Sequence, residues 1–321
     1  MRKMLLKGLL FLIILIIPLM YFNMRYKKTD FFLQMNGLGK FRNIPYEIEV
    51  VNLGNSHAAA GIMYNDKSFK GYNWALGSQP FEYDYYILDY YSSHLSKKAT
   101  VIIQISFFDW YYNYEEIFEG EISRYNERYY SILDKNHIMN YDLKKDFLYN
   151  RFPLLTAGKN MTYIFEDVKQ DDVVQDNAET NTDLASLERA AEEKYESWTE
   201  HVMAVDANKK EQCKIKNMNF LKKMIDYCYE NEYTPVLVTL PMTNQLLEKF
   251  SEDFVCDFNR QIMEVQKEYP KLKFFDYSED QDFAGNPQLF MNLDSDHLNE
   301  DGADIFSERL WADLRKAKLI K

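Results

Sequence analysis

Two short blocks hold the residue types that nucleophilic chemistry requires. Near the start, Val50-Val51-Asn52-Leu53-Gly54-Asn55-Ser56-His57-Ala58-Ala59-Ala60-Gly61 runs an apolar strand into Gly-Asn-Ser, with a helix-permissive stretch directly behind. Near the end stands Asn292-Leu293-Asp294-Ser295-Asp296-His297-Leu298-Asn299-Glu300-Asp301-Gly302-Ala303. A serine hydroxyl is a weak nucleophile at neutral pH and needs an adjacent base. That base in turn needs a partner to fix its tautomer and stabilise its charged form. Asp294 and His297 can meet on one face of a turn, so His297 is placed to take the Ser56 proton while Asp294 holds its other ring nitrogen. Asp296 is the rival orienter, but as the immediate neighbour of His297 it is expected to point away. Each block alone also has a plainer reading: Ser56 as the N-cap of the helix behind it, and His297 as part of a polar surface turn.

The elements that must position these side chains alternate apolar runs with helical stretches, the pattern of a parallel sheet with crossover helices. Four strands are predicted at residues 46–53, 99–105, 234–240 and 272–276, with a short fifth around Tyr72-Asn73-Trp74-Ala75. In an open α/β sheet ligands collect outside the carboxyl ends of the strands, beside helix N-termini, and Ser56 would stand there. A long interruption over 111–208 exceeds any ordinary connection and reads as an insertion or helical subdomain. Within it, Lys169 to Thr182 is rich in Asp, Asn and Thr and reads as a solvated loop; without a glycine where an EF-hand turn needs one, it is not read as a calcium loop. Asp183-Leu184 then opens a helix in which Leu184, Leu187, Ala190, Ala191, Tyr195 and Trp198 share a core-facing stripe. No internal repeat is found.

The 321 residues carry 38 Lys and Arg against 50 Asp and Glu, a formal charge of -12 that disfavours nucleic acid as a partner. The 46% hydrophobic share is that of a globular chain with a sizeable core, and the 16% aromatic share, scattered along the chain, reads as core packing rather than sugar-stacking platforms. Cys213, Cys228 and Cys256 write no disulfide framework; Cys228 follows Ile215, Met218, Leu221, Met224 and Ile225 at helical spacing and is expected to be buried. No CxxC or HExxH-like spacing occurs, so neither a metal nor a cofactor is expected. Asn160-Met161-Thr162 matches a glycosylation acceptor, a three-residue pattern too common to assign. Residues 8–24 are uncharged, and with the Lys7 side chain snorkelling to the interface the run extends over 4–24, about 31 Å at ~1.5 Å per residue, enough to span a bilayer core. The bulky Pro18-Leu19-Met20-Tyr21-Phe22-Asn23 favours an uncleaved anchor over a cleaved signal peptide. Arg2, Lys3 and Lys7 on one side balance Arg25, Lys27 and Lys28 on the other, so charge leaves the orientation open.

Together the two blocks resemble the SGNH (GDSL-like) hydrolase superfamily, in which a GDS-type block follows the first strand and a DxxH block closes the domain. More narrowly, the chain looks like its membrane-anchored extracytoplasmic branch, which includes teichoic-acid D-alanyl transfer and alginate O-acetylation proteins. The likeness covers the anchor, Gly54-Asn55-Ser56-His57, the Tyr-Asn-Trp-Ala-Leu-Gly-Ser-Gln block at 72–79, the strand end Gln104-Ile105-Ser106, the Val-Leu-Val-Thr-Leu-Pro strand and the Asp294 to Asn299 block. The resemblance implies a three-layer, flavodoxin-like doubly wound parallel sheet of about five strands, with a helical insertion and an N-terminal transmembrane helix. It divides the chain into an anchor, 1–28, and an SGNH-like domain, 29–321. Carried over, Ser56 is the nucleophile, His297 the general base and Asp294 its orienter. The oxyanion hole would use the Ser56 N–H and the Gly77 N–H. Where the family has an asparagine side chain this chain reads Ser106-Phe107-Phe108-Asp109-Trp110, leaving Ser106 as the candidate third donor. Asn55 also stands where the hydrolases usually carry Asp.

These features imply acyl transfer through an acyl-Ser56 intermediate, by an esterase or an O-acyltransferase acting on a cell-envelope polymer outside the cytoplasm, beside a membrane-embedded acyl donor protein. Two other classes stay open: a catalytically silent binding or scaffold protein on the same fold, and an anchored lipase, which needs a broad apolar cleft.

Overall fold

The structure is a computed structural model that describes residues 2–35, 37–66, 68–112, 114, 126–165, 183–203, 206–291 and 294–320. The chain divides into two units, Met1–Ile44 with Glu121–Gln175, and Pro45–Gly120 with Asp176–Lys321. Of the interruption expected over 111–208, residues 121–175 fall in the first unit and the remainder in the second. The loop expected over Lys169 to Thr182 lies outside the described residues.

The first unit is built on helix α1 (Arg2–Tyr26), one N-terminal helix long and apolar enough to cross a membrane. Leu10, Ile14 and Ile17 are exposed along it, as a bilayer-facing surface requires. Its far end is tied down by polar groups. Asn23 donates from Nδ2 to the Arg151 carbonyl at 2.8 Å and accepts at Oδ1 from the Leu154 N–H at 3.2 Å. Lys27 Nζ donates to the Asn150 carbonyl at 2.8 Å. Asn23 is thus buried with both ends of its amide satisfied, the condition under which a buried polar side chain is tolerated.

The second unit holds the sheet. All five predicted strands form: β1 (Ile48–Leu53), β2 (Gly71–Asn73), β3 (Leu95–Gln104), β4 (Thr234–Thr239) and β5 (Lys273–Asp276). They pair in parallel in the order β2-β1-β3-β4-β5, the flavodoxin-like doubly wound arrangement. Val51, Leu53, Val101, Ile102, Ile103, Val236, Leu237 and Val238 are buried, because a parallel sheet covered on both faces reads as near-continuous apolar runs. On one face Val50, Ile102, Val236 and Val238 pack against Ala58 of α2 (Ser56–Gly61) and against Phe306, Leu310 and Trp311 of α7 (Glu300–Lys316). Helices α3 (Phe81–Tyr91) and α5 (Ala207–Glu230) pack on each other and, like α6 (Glu252–Glu268), add nothing to that cluster, so they form the other layer. Cys228 is fully buried there, and burial pushes its thiol pKa up.

Two helical details follow from the sequence and one departs from it. Asp183 caps α4 (Leu184–Ser197) by accepting the Ser186 N–H at 3.0 Å. Asn299 caps α7 in the same way, with Glu300 and Asp301 in the first turn and Arg315 and Lys316 in the last, the arrangement the helix dipole favours. The apolar stripe of α4 is covered only toward its end: Ala190, Ala191 and Trp198 are buried, whereas Leu184 is 61% exposed. Leu184 sits in the first turn, beside the cap and short of the residues that cover the stripe further on.

Candidate active site

The strand order reverses direction between β1 and β3, and the crevice outside their carboxyl ends is where such sheets bind ligands. The two chain segments that leave these strands carry Ser56 and Ser106. At the end of β1 the backbone turns sharply through Gly54, whose φ of 134° lies where side chains are strained. Gly54 is held on both sides: its N–H donates to Asp84 Oδ1 at 2.8 Å and its carbonyl accepts from the Leu76 N–H at 3.2 Å. The next residue, Asn55, caps α2 by accepting the His57 N–H at Oδ1, 3.0 Å away. This overturns the plainer reading of Ser56. Asn55 does the capping, and Ser56 is the first helical residue, partly exposed, with its hydroxyl released from that duty.

The closing block meets this elbow. Met291 N–H donates to the His297 carbonyl and Asp294 N–H to the Met291 carbonyl, while the Ser295 carbonyl accepts from Thr243 N–H, on the segment that leaves β4. The turn therefore presents its carboxylates and imidazole at the sheet edge. The rings of His57 and His297 lie 4.7 Å apart between centroids. His297 Nδ1 is 3.0 Å from Asp294 Oδ2 and 2.7 Å from Asp296 Oδ1. Asp296 was expected to point away, yet its carboxylate turns back onto its neighbour and is the more buried of the two acids, 2% exposed. Its other oxygen, Oδ2, lies 2.9 Å from His57 Nε2. Lys194, on α4, completes the group with Nζ 3.0 Å from Asp294 Oδ1 and 3.0 Å from Asp296 Oδ1. Trp198 and Phe108 wall His57 with ring centroids 5.9 and 5.8 Å away.

These contacts set the charges. Burial lowers the pKa of His57 more than Asp296 raises it, so this imidazole is neutral. His297 is also desolvated, but Asp296 and Asp294 together outweigh burial and lift it to about 9. Although burial acts to raise Asp296, the two imidazoles hold its pKa well below the usual carboxylate range. With Asp296 ionised and His297 and Lys194 cationic, the buried carboxylate faces two positive groups. His57, Asp296 and His297 place donor atoms within 4.8 Å of one another, close enough for a metal ion. The nitrogens that face Asp296 are filled by protons donated to it, and Lys194 stands beside the same carboxylate, so the set is satisfied as a hydrogen-bond network.

Ser106 follows β3 within the same cluster. Its N–H donates to Asp109 Oδ2 at 2.6 Å, and its hydroxyl lies 2.6 Å from Gln104 Nε2 and 2.9 Å from His57 Nδ1. Gly77 lies one residue beyond Leu76, with open space around its Cβ position. Among the described residues no hydrogen bond joins Ser56 to His297. Two buried acids lie beneath the elbow. Burial raises Asp84 to about 8 and Asp109 to about 7, which keeps Asp84 mostly protonated at neutral pH. The roles of His57 and Lys194 were not read from the sequence. His57 sits in the same block as Ser56, and a histidine at an otherwise apolar strand-to-helix junction was the available signal; Lys194, the single lysine of α4, had none, because nothing in the spacing ties the polar side of that helix to a turn 100 residues away.

No family model matches the chain, and no curated protein matches it. One solved structure similar to it is described as "a putative platelet activating factor from Streptococcus pneumonia"; it is 10% identical, covers 96% of this chain and 98% of its own, and superposes with a TM-score of 0.42. At that identity and score the likeness gives no residue a role.

Proposed function

We propose that this protein is a membrane-anchored serine acyl-transfer enzyme of SGNH type, an esterase or O-acyltransferase that modifies a cell-envelope polysaccharide or teichoic acid. The observation that carries the reading is the position of Ser56, at the head of α2 and next in the chain to the buried His57, which joins the buried Asp296 and the partly exposed His297. In this reading His297 takes the Ser56 proton as Oγ attacks an ester or thioester carbonyl. It then protonates the leaving alcohol or thiol, and water or a sugar hydroxyl attacks acyl-Ser56 to release the enzyme. Backbone N–H groups of Ser56 and Gly77 are the proposed oxyanion donors. Ser106 drops out as the third, since its N–H is given to Asp109 and its hydroxyl is held by Gln104 and His57. Residues 1–28 would be the anchor and 29–321 the domain outside the cytoplasm, served by a membrane-embedded acyl donor protein.

A second reading, a silent scaffold of an envelope acylation machinery, is favoured by the missing Ser56 to His297 hydrogen bond and by a His297 that is protonated at neutral pH. Fluorophosphonate labelling separates the two. Wild type is expected to be labelled at Ser56 and Ser56→Ala to be blank; a wild type that stays unlabelled across pH 7 to 10 supports the scaffold.

Activity and stability should respond to pH in opposite senses. A general base works only when deprotonated, so kcat/KM is expected to climb with pH toward a plateau above about 9. The raised His297 pKa stabilises the fold fully below about 6.5, the ordinary histidine value, and that contribution is lost as pH rises through about 9. The raised Asp84 acts in the same direction, because the folded state must give up a proton that the unfolded chain has already lost. Melting temperature should therefore fall between pH 6.5 and 9 while turnover rises; an activity limb near pH 6 would contradict the assignment of His297 as base.

A further inference from the structure

We propose that His57 is a positioning residue, which locks the Asp296 carboxylate onto His297 through a one-way hydrogen-bond chain that begins at Gln104 and passes through Ser106. The proposal rests on the acyl-transfer reading above for its catalytic meaning. Its structural content stands on the distances themselves.

The direction of the chain follows from which atoms carry protons. Asp296 is ionised and accepts only, so His57 Nε2, 2.9 Å from Oδ2, must hold the hydrogen of that contact. A neutral imidazole has one N–H, which leaves Nδ1 as an acceptor. The atom 2.9 Å from Nδ1 is Ser106 Oγ, so the serine O–H donates to it. With its proton committed, Ser106 Oγ accepts the Gln104 Nε2–H, 2.6 Å away. Gln104 is fixed in turn because its Oε1 accepts the Asn55 backbone N–H at 3.0 Å. Every donor therefore points the same way, from the β1 elbow through Gln104, Ser106 and His57 to Asp296. A reversal anywhere would set two donors or two acceptors face to face.

The consequence falls on His297. Asp296 offers Oδ2 to His57 and Oδ1 to both His297 Nδ1 and Lys194 Nζ. With Oδ2 pinned, the carboxylate cannot rotate away from His297, and once that imidazole gives up its Nε2 proton it keeps the Nδ1–H tautomer, with Nε2 available to a serine. His57, Ser106 and Asp296 are all about 5% exposed or less, so no water competes for these bonds. Asp294 holds the same Nδ1 from a side chain that is 24% exposed, a looser support. The charged and titratable groups facing His297 are Asp294 and Asp296 on its own turn, His57 on α2 and Lys194 on α4.

The test reads His297 directly, by nitrogen NMR titration of its ring in the full-length, detergent-solubilised protein, alongside kcat on an aryl ester. In His57→Leu the carboxylate loses the donor that pins Oδ2 and is free to turn off His297, whose raised pKa depends on that contact. The His297 midpoint is expected to move downward, with kcat down on the order of 100-fold. His57→Gln keeps an N–H near the place of Nε2 and should return the midpoint toward wild type and restore most of the turnover. Ser106→Ala touches neither Asp296 nor His297, and should move the midpoint in the same direction by less; it also serves if the leucine variant does not fold. A folded His57→Leu or Ser106→Ala protein whose His297 titrates at the wild-type midpoint overturns the proposal, as does a glutamine variant displaced as far as the leucine one. Should the wild type turn over no ester, the acyl-transfer reading fails, while the NMR titrations still decide the role of His57.

Discussion

Replacing Asp296 by Asn is expected to lower kcat on the order of 10⁴-fold, and replacing Asp294 by Asn only about tenfold, the scale on which a catalytic histidine depends on its orienting carboxylate. The asymmetry follows from what each acid holds. Asp296 receives N–H groups from His57, His297 and Lys194, and all three donate. An asparagine of the same size brings an NH₂ into a position where only acceptors are wanted, so at least one imidazole must change tautomer or turn away. The loss also leaves His297 and Lys194 short of a counter-charge in a buried site, which should cost about 3–5 kcal/mol of stability. Asp294 shares His297 and Lys194 but stands partly in water, where its neutralisation is screened. Steady-state kinetics on an aryl ester and thermal melts of the two variants decide the matter. Equal losses, or a larger loss for Asp294→Asn, would return the orienting role to Asp294.

Gly54→Ala is expected to destabilise the protein by roughly 4 kcal/mol and to abolish labelling of Ser56, whereas Gly77→Ala should change stability by less than about 1 kcal/mol. At Gly54 two penalties coincide. The backbone φ of 134° strains any side chain, and an added Cβ would stand 2.6 Å from Gln104 Oε1, 2.7 Å from Gln104 Cβ and 3.1 Å from Ala58 Cβ. Gln104 cannot retreat freely, because its amide also holds the Asn55 N–H and the Ser106 hydroxyl. The damage would thus pass from the elbow into the chain that supports Asp296. No atom lies within 4 Å of the Cβ position at Gly77, so the substitution there is a control for handling and expression. Denaturant titrations in detergent, followed by tyrosine and tryptophan fluorescence, measure both; similar midpoints for the two variants would show that the elbow tolerates a side chain.

Much of the fold is readable in the linear chain because burial on both faces makes each parallel strand a block of apolar residues, bounded by turn chemistry. The runs at 48–53, 99–104 and 234–239 are of this kind, and the Asp183 cap and the apolar α1 are similarly local; the start of β3 at Leu95, through the exposed Lys97 and Lys98, left no such mark. The capping of α2 was readable only in part. Asn55 and Ser56 are both good caps by type, and which one takes the role depends on the path of the backbone out of Gly54, which the tie to Asp84 sets from 30 residues away.

What the amino-acid order determined by itself is the inventory: an apolar N-terminal helix, five strands, a serine after the first of them and a carboxylate-histidine turn near the end. Only the tertiary structure decided how that inventory is wired. It turned Asp296 toward His297, brought Lys194 across from α4 and made His57 and Ser106 partners 49 residues apart. The physical reason is that hydrophobic pattern and turn propensity act between near neighbours and leave their mark in sequence spacing. The charge and proton order of a buried site depends instead on which side chains the finished sheet brings within 3 Å, in an environment where water no longer screens or satisfies them.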